Sequence, residues 1–119
     1  MATVSSHILN AVDGSHADGI SARLTDMSTG MLVAEGETEN GGRLALVADL
    51  SQADPANRYQ LTFHTWDYWA ARGSEGPDLI EDITLLFTMP DPIARYHMPI
   101  ILSPHGYSTW KSVPEKSDG

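Results

Sequence analysis

The chain contains no cysteine. Disulfide scaffolds, thiolate metal sites and cysteine nucleophiles are therefore excluded, and a reducing compartment is compatible though not required. Basic residues are scarce: 7 Lys and Arg stand against 16 Asp and Glu, giving a formal net charge of −9. Nucleic acids and anionic membranes are both held by Lys and Arg, so this balance sets both partner classes aside. No apolar run approaches the roughly 18 residues of a membrane helix. Residues 1–7 carry neither a basic region nor a long apolar stretch, so no secretory signal is visible and the cytoplasm is the expected location. Nucleophile elbows and phosphate loops are also missing.

What is present fits one soluble domain. The 119 residues are 41% hydrophobic and 19% charged, enough for a single modest core. The dominant period is two. Tyr59, Leu61 and Phe63 alternate with Gln60, Thr62 and His64, and Ile20, Ala22 and Leu24 alternate with Ser21, Arg23 and Thr25. Leu44 and Leu46 flank Ala45, and residues 96–103 alternate in the same way; residues 79–88 are apolar with a weaker rhythm. Turn signals separate these runs: Asp13-Gly14, Asp18-Gly19, Thr29-Gly30, Gly41-Gly42 (read as a hairpin turn), Asp54-Pro55, Gly76-Pro77 and Pro90-Asp91-Pro92. Short strands so spaced predict an all-β sandwich. One segment breaks the period. Residues 65–72 (TWDYWAAR) predict a short helix, with Thr65 as its cap, Asp67 in the first turn and Gly73 just beyond the end. The domain is expected over residues 1–112, with a polar, frayed tail over 113–119.

The histidines are at positions 7, 16, 64, 97 and 105, and no pair has the H-x-H or H-x-x-x-H spacing of a metal site. His97 is the most informative. It alternates with Tyr96, Met98, Ile100 and Leu102, so if those side chains are core, His97 points outward. Arg43 relates to Leu44 and Leu46 in the same way. Read alone, both are surface residues. The face of His97 also carries Pro99 and Ile101, however, and an apolar residue on a face of that kind fits contact with another subunit. The residues by themselves leave both readings open.

Three stretches carry a resemblance. They are residues 7–14 (HILNAVDG) with 19–24 (GISARL), residues 38–44 (TENGGRL) with 59–73 (YQLTFHTWDYWAARG), and residues 96–109 (YHMPIILSPHGYST). Together they resemble the transthyretin-like family across nearly the whole chain, the last string being the most specific. The resemblance implies an eight-stranded, two-sheet sandwich with one short helix, assembled as a homotetramer, a dimer of dimers. One branch of that family hydrolyses 5-hydroxyisourate, the product of urate oxidation; the other carries thyroid hormone. The hydrolase branch keeps a histidine in the first strand, an arginine after the turn and a histidine in the Tyr-His string. His7, Arg43 and His97 match all three. The resemblance thus implies a hydrolase acting on a purine-derived small molecule, without metal or organic cofactor. The alternative it leaves is a carrier of a small aromatic ligand in the tetramer channel.

The resemblance departs at one end. Hydrolases of this family finish in Tyr-Arg-Gly-Ser after Tyr-Ser-Thr, whereas here Thr109 is followed by Trp110-Lys111-Ser112 and seven further residues. His105 stands where tyrosine is usual. Ser108, Trp110, Lys111 and Ser112 are then the implied substrate-binding residues. Lysine offers one compact ammonium where arginine offers a rigid fork of donors, and tryptophan adds apolar surface with a single N–H. Both changes fit a substrate with fewer polar edges, such as an N-methylated hydroxyisourate.

Overall fold

The computed structural model describes residues 1–73 and 80–116. Two sheets pack face to face. The first is built on β1 (Ala2–Asn10), which receives β4 (Arg43–Ala48) antiparallel along one side. It also pairs in parallel with β7 (Ala94–His97) at residues 3–5 and with β8 (Ile100–Ser103) at residues 8–10. β9 (Gly106–Thr109) pairs with β8, and β10 (Glu115–Lys116) with β7, both antiparallel. The second sheet runs in the order β3 (Met31–Glu37), β2 (Ser21–Asp26), β5 (Arg58–Phe63), β6 (Ile83–Thr88), all antiparallel.

The period of two in the sequence becomes burial. Ala2, Val4, Ser6, Ile8 and Asn10 are buried along β1 while Thr3, Ser5, His7 and Leu9 are only half-buried. Val4, Ile8, Leu46 and Ile100 from the first sheet meet Leu24, Leu61, Phe63 and Ile83 from the second in one core. Phe63 is fully buried, so Phe63→Ala removes about 3–5 kcal/mol through lost transfer and the cavity left behind.

The strand count exceeds the expected eight, for physical reasons. Residues 96–103 read as one strand, yet the ladder is interrupted at Met98-Pro99 because proline has no N–H to donate. The Met98 N–H is satisfied by the Ser5 carbonyl at 2.9 Å, and the Ser6 hydroxyl donates to the Met98 carbonyl at 2.7 Å. Burial alternation passes through the break unshifted, so His97 and Ile101 keep one face. The tail after Ser112, expected to fray, instead lays Glu115 and Lys116 beside Arg95 and Ala94. These two changes make ten strands.

The helix α1 is shorter than expected, Thr65–Ala70, and Thr65 is not its cap. His64 takes the cap position and makes no side-chain cap bond. The Thr65 hydroxyl donates to the Glu81 carbonyl at 3.0 Å, and Asp82 supplies the capping acceptor, taking the Trp66 N–H at 3.2 Å and facing His64 Nδ1 at 3.2 Å. A carboxylate at a helix N-terminus suits the positive end of the dipole. Tyr68 and Trp69 are buried; the Asn10 amide donates to the Tyr68 hydroxyl at 3.0 Å, tying α1 to the end of β1. Beyond the helix, Gly73 adopts φ +66°, the left-handed conformation that suits its expected place. The apolar run over residues 79–88 forms a strand only from Ile83, and the Gly76-Pro77 turn and Leu79 lie outside the described residues.

Gly41-Gly42 closes a tight turn, bridged antiparallel between Glu39 and Arg43, but it is not a hairpin between neighbouring strands. It carries the chain from β3 in one sheet to β4 in the other. Gly42 has φ +70°, and a Cβ there would lie 2.4 Å from the Ile8 carbonyl oxygen and 3.0 Å from the Ala17 nitrogen. The Ile8 N–H in turn donates to the Gly42 carbonyl at 2.8 Å. The turn is thus clamped onto β1 one residue from His7.

Candidate active site

The outer face of the first sheet gathers the polar residues that alternate with the core. His7 on β1 is the direct cross-strand partner of Arg43 on β4. On the other side of β1, Ser5 is the partner of His97, and Thr3 of Arg95. Side chains opposite one another on one face sit about 5 Å apart at Cβ and diagonal neighbours about 7–8 Å apart, so His7, Arg43 and His97 form one group although 90 residues separate the first from the last in sequence. Ile101 lies opposite Leu9, and Ser108 opposite Ile101, further along the same sheet.

Each histidine has a partner. His97 Nδ1 is 2.8 Å from the Ser5 hydroxyl, which fixes the ring and leaves Nε2 for a ligand. His7 Nε2 is 2.9 Å from His16 Nδ1, and the two rings stack with centroids 5.0 Å apart. The pKa of His7 is held below the ordinary imidazole value, first by burial, then by the Arg43 guanidinium and by His16, with a smaller push from His97; a hydrogen bond with the Gly41 backbone opposes them. His7 is therefore neutral at neutral pH and able to accept a proton.

A groove of about 550 Å³ runs beside β4, lined by Ser5, Arg43, Ala45, Arg95 and His97, with Glu35 and Glu37 of β3 along it. His7 is not among its lining residues. Two arginines and a histidine beside carboxylates suit a polar, partly anionic heterocycle. Among the described residues, no group of three His, Cys, Asp or Glu side chains is arranged to hold a metal ion, and no helix is long and apolar enough to cross a membrane.

The residues after β9 are divided between two places. Lys111 and Ser112 are exposed and share a small cleft with His97 and Tyr96, and the Ser112 N–H points to the His97 carbonyl at 3.4 Å. Trp110 and Lys111 line a separate apolar groove against Leu86 and Phe87 of β6. Trp110 therefore faces the β6 edge and not the groove of Arg43.

A family model described as HIUase/Transthyretin family matches residues 4–112. The chain belongs to this family. A 5-hydroxyisourate hydrolase of Mus musculus is 31% identical, over 93% of this chain and 98% of its own. Among solved structures, the 5-hydroxyisourate hydrolase of Klebsiella pneumoniae superposes with a TM-score of 0.77 at 28% identity, covering 95% of this chain and 100% of that one. Transthyretin from Sparus aurata superposes with the same TM-score of 0.77 at 28% identity, over 92% and 95% of the two chains. The family's fold is thus shared by hydrolases and transthyretins, and the choice between them falls to the side chains on the outer face.

Ser5, His16 and Arg95 were not singled out from the sequence. Ser5 has the parity of His7 on β1 and was legible in principle. Arg95 has the parity of His97. His16 was not, because it follows the strand end, and only the bridge that lays it antiparallel to Leu9 turns its ring to the side of His7.

Proposed function

We propose that the protein is a hydrolase that opens the ring of 5-hydroxyisourate in urate-type purine breakdown, with His7, Arg43 and His97 as its catalytic set. The observation that carries this reading is the cross-strand group of two imidazoles and one guanidinium, in a chain whose relatives are named 5-hydroxyisourate hydrolases. A passive ligand channel has no need of that group. Ring opening adds water to an amide-like carbonyl. An imidazole takes a proton as the water oxygen bonds to the carbonyl carbon, and the carbonyl electron pair moves onto oxygen. Arg43 donates to the oxyanion. Collapse breaks the ring C–N bond, and the imidazolium returns its proton to the departing nitrogen.

The working unit is a homotetramer closed by two-fold symmetry through the outer face, where Val47 (52% exposed) and Ile101 (40% exposed) lie in the sheet that bears the site. Ser108, Trp110, Lys111 and Ser112 bind the substrate, Trp110 from a neighbouring subunit because in its own chain it faces the β6 edge, and the preferred substrate is an N-methylated hydroxyisourate, each methyl replacing an N–H with apolar bulk. What supports this preference is the exchange of an arginine fork for Lys111 and the apolar surface of Trp110. One methyl-sized difference in a pocket is worth about 10-fold or more in kcat/KM.

The test is direct. The protein is added to freshly generated 5-hydroxyisourate and to its N-methylated analogue, and the ultraviolet decay of each is followed. Acceleration of both, with the methylated compound faster by about 10-fold, is the expected result. Equal rates would remove the methylated preference, and no acceleration of either would remove the hydrolase reading.

A further inference from the structure

His16 is the residue on this face that the assigned chemistry does not use. It is exposed, in the connection between β1 and β2, yet it is firmly placed. The Ala17 N–H next to it donates to the Ile8 carbonyl at 2.9 Å, and the Asn10 N–H donates to the Ser15 carbonyl at 2.8 Å. The Thr38 hydroxyl donates to the Ala17 carbonyl at 2.8 Å. These bonds hold residue 16 antiparallel to Leu9, and its ring lies almost parallel to that of His7, 9° apart, with Nδ1 at 2.9 Å from His7 Nε2.

We propose that His16 is a positioning residue for His7: the two imidazoles share one proton across Nε2···Nδ1, and this bond fixes the orientation in which His7 serves the site. The inference rests on the hydrolase reading for its effect on rate, but the bond itself does not. Two nitrogens 2.9 Å apart need one donor and one acceptor. Two neutral rings meet that condition only with complementary tautomers: the Gly41 backbone holds the His7 proton on the other ring nitrogen, so His7 Nε2 accepts from the Nδ1–H of His16. Two imidazolium rings cannot meet it at all, since neither then offers an acceptor. The groups facing His7 are His16, Arg43 from β4, His97 from β7 and the Gly41 backbone from the turn before β4, where Glu39 pairs with Arg43 through the backbone. Arg43, His97 and His16 all act in one direction, against a charge on His7. His16 differs from the other two in holding a ring nitrogen.

The experiment uses the full-length protein labelled with 15N-histidine, as wild type, His16→Leu and His16→Asn. Long-range imidazole correlations report the 15N shift of His7 Nε2, and so its hydrogen bond, together with its titration, and kcat/KM on 5-hydroxyisourate is measured across pH. His16 is exposed, so neither substitution opens a core cavity. In His16→Leu the His7 Nε2 loses its hydrogen-bond partner and its 15N shift moves, its titration moves to higher pH, and kcat/KM above the acid limb falls about 3- to 10-fold, the scale of one neutral hydrogen bond. In His16→Asn the side-chain amide keeps a hydrogen-bond partner but no titrating charge. The titration still moves up, while the Nε2 shift stays near that of wild type and the plateau rate stays within about 2-fold, since the bond is retained. A His7 Nε2 shift and titration unchanged in His16→Leu would overturn the proposal, whatever the rate does. A wild type that fails to open 5-hydroxyisourate would overturn the hydrolase reading alone, since the Nε2 measurement decides the role of His16 without it.

Discussion

Replacing Gly42 with alanine should damage both stability and site geometry, and the size of the effect follows from two separate features. The first is conformational. Gly42 has φ +70°, and an L-residue held in the left-handed region costs about 1–2 kcal/mol. The second is steric. The new Cβ would stand 2.4 Å from the Ile8 carbonyl oxygen and 3.0 Å from the Ala17 nitrogen. Both are backbone atoms, so relief requires β1 and the turn to separate, weakening the 2.8 Å bond from the Ile8 N–H to the Gly42 carbonyl. Overpacking of this kind costs about 1–3 kcal/mol. The sum is about 2–5 kcal/mol, or roughly 8–20 °C in Tm at about 4 °C per kcal/mol for a domain of this size. Gly30→Ala is the control. Its φ is +79° and nothing lies within 4 Å of the added Cβ, so only the conformational cost applies, roughly 4–8 °C. Thermal unfolding of both variants at one protein concentration separates the terms, the concentration being fixed because assembly shifts the apparent Tm. Gly42→Ala should melt at least about 4 °C below Gly30→Ala, and should also lose kcat/KM because His7 adjoins Ile8. Equal melting temperatures for the two variants would refute the idea that the turn is clamped on β1.

Ser5→Ala removes the 2.8 Å partner of His97 Nδ1 and should lower kcat/KM about 3- to 10-fold with little change in Tm; an unchanged rate would show that His97 needs no such support. His97→Ala and Arg43→Glu should each cost at least about 100-fold in kcat/KM with the fold intact, as measured by the ultraviolet assay together with circular dichroism. Arg43→Gln removes one of the groups that hold the His7 pKa down, so histidine NMR should find it titrating at higher pH. The sign for stability follows. Because folded His7 resists its proton, its contribution to stability is full above the unfolded value and is lost as pH falls through the lower folded value, and Arg43→Gln should lessen that acid loss. Ile101→Glu puts a charge on the face assigned to assembly, and light scattering should then report a mass below about four chains.

The sequence by itself determined the fold class, the strand faces and most residues of the candidate site. Alternation is a local property: once residues 59–63 or 43–48 are strands, the pleat sends every second side chain to one side, so the outward direction of Arg43 and the core direction of Leu44 and Leu46 follow without any tertiary information. The pairing was not local. That His7 lies opposite Arg43 and next to the strand of His97 depends on β1 receiving β4 on one side and β7 on the other, and the resemblance supplied that grouping where periodicity could not. Three features escaped both. The interruption at Met98-Pro99 turns on a missing N–H that matters only once a neighbouring strand asks for it. Asp82 caps α1 from a position far along the chain, displacing the local candidate Thr65. His16 reaches His7 because a four-residue turn and the Gly42 clamp bring a loop back along β1. In each case the deciding contact joins groups whose distance is set by the packed structure, and the local sequence carries no trace of it.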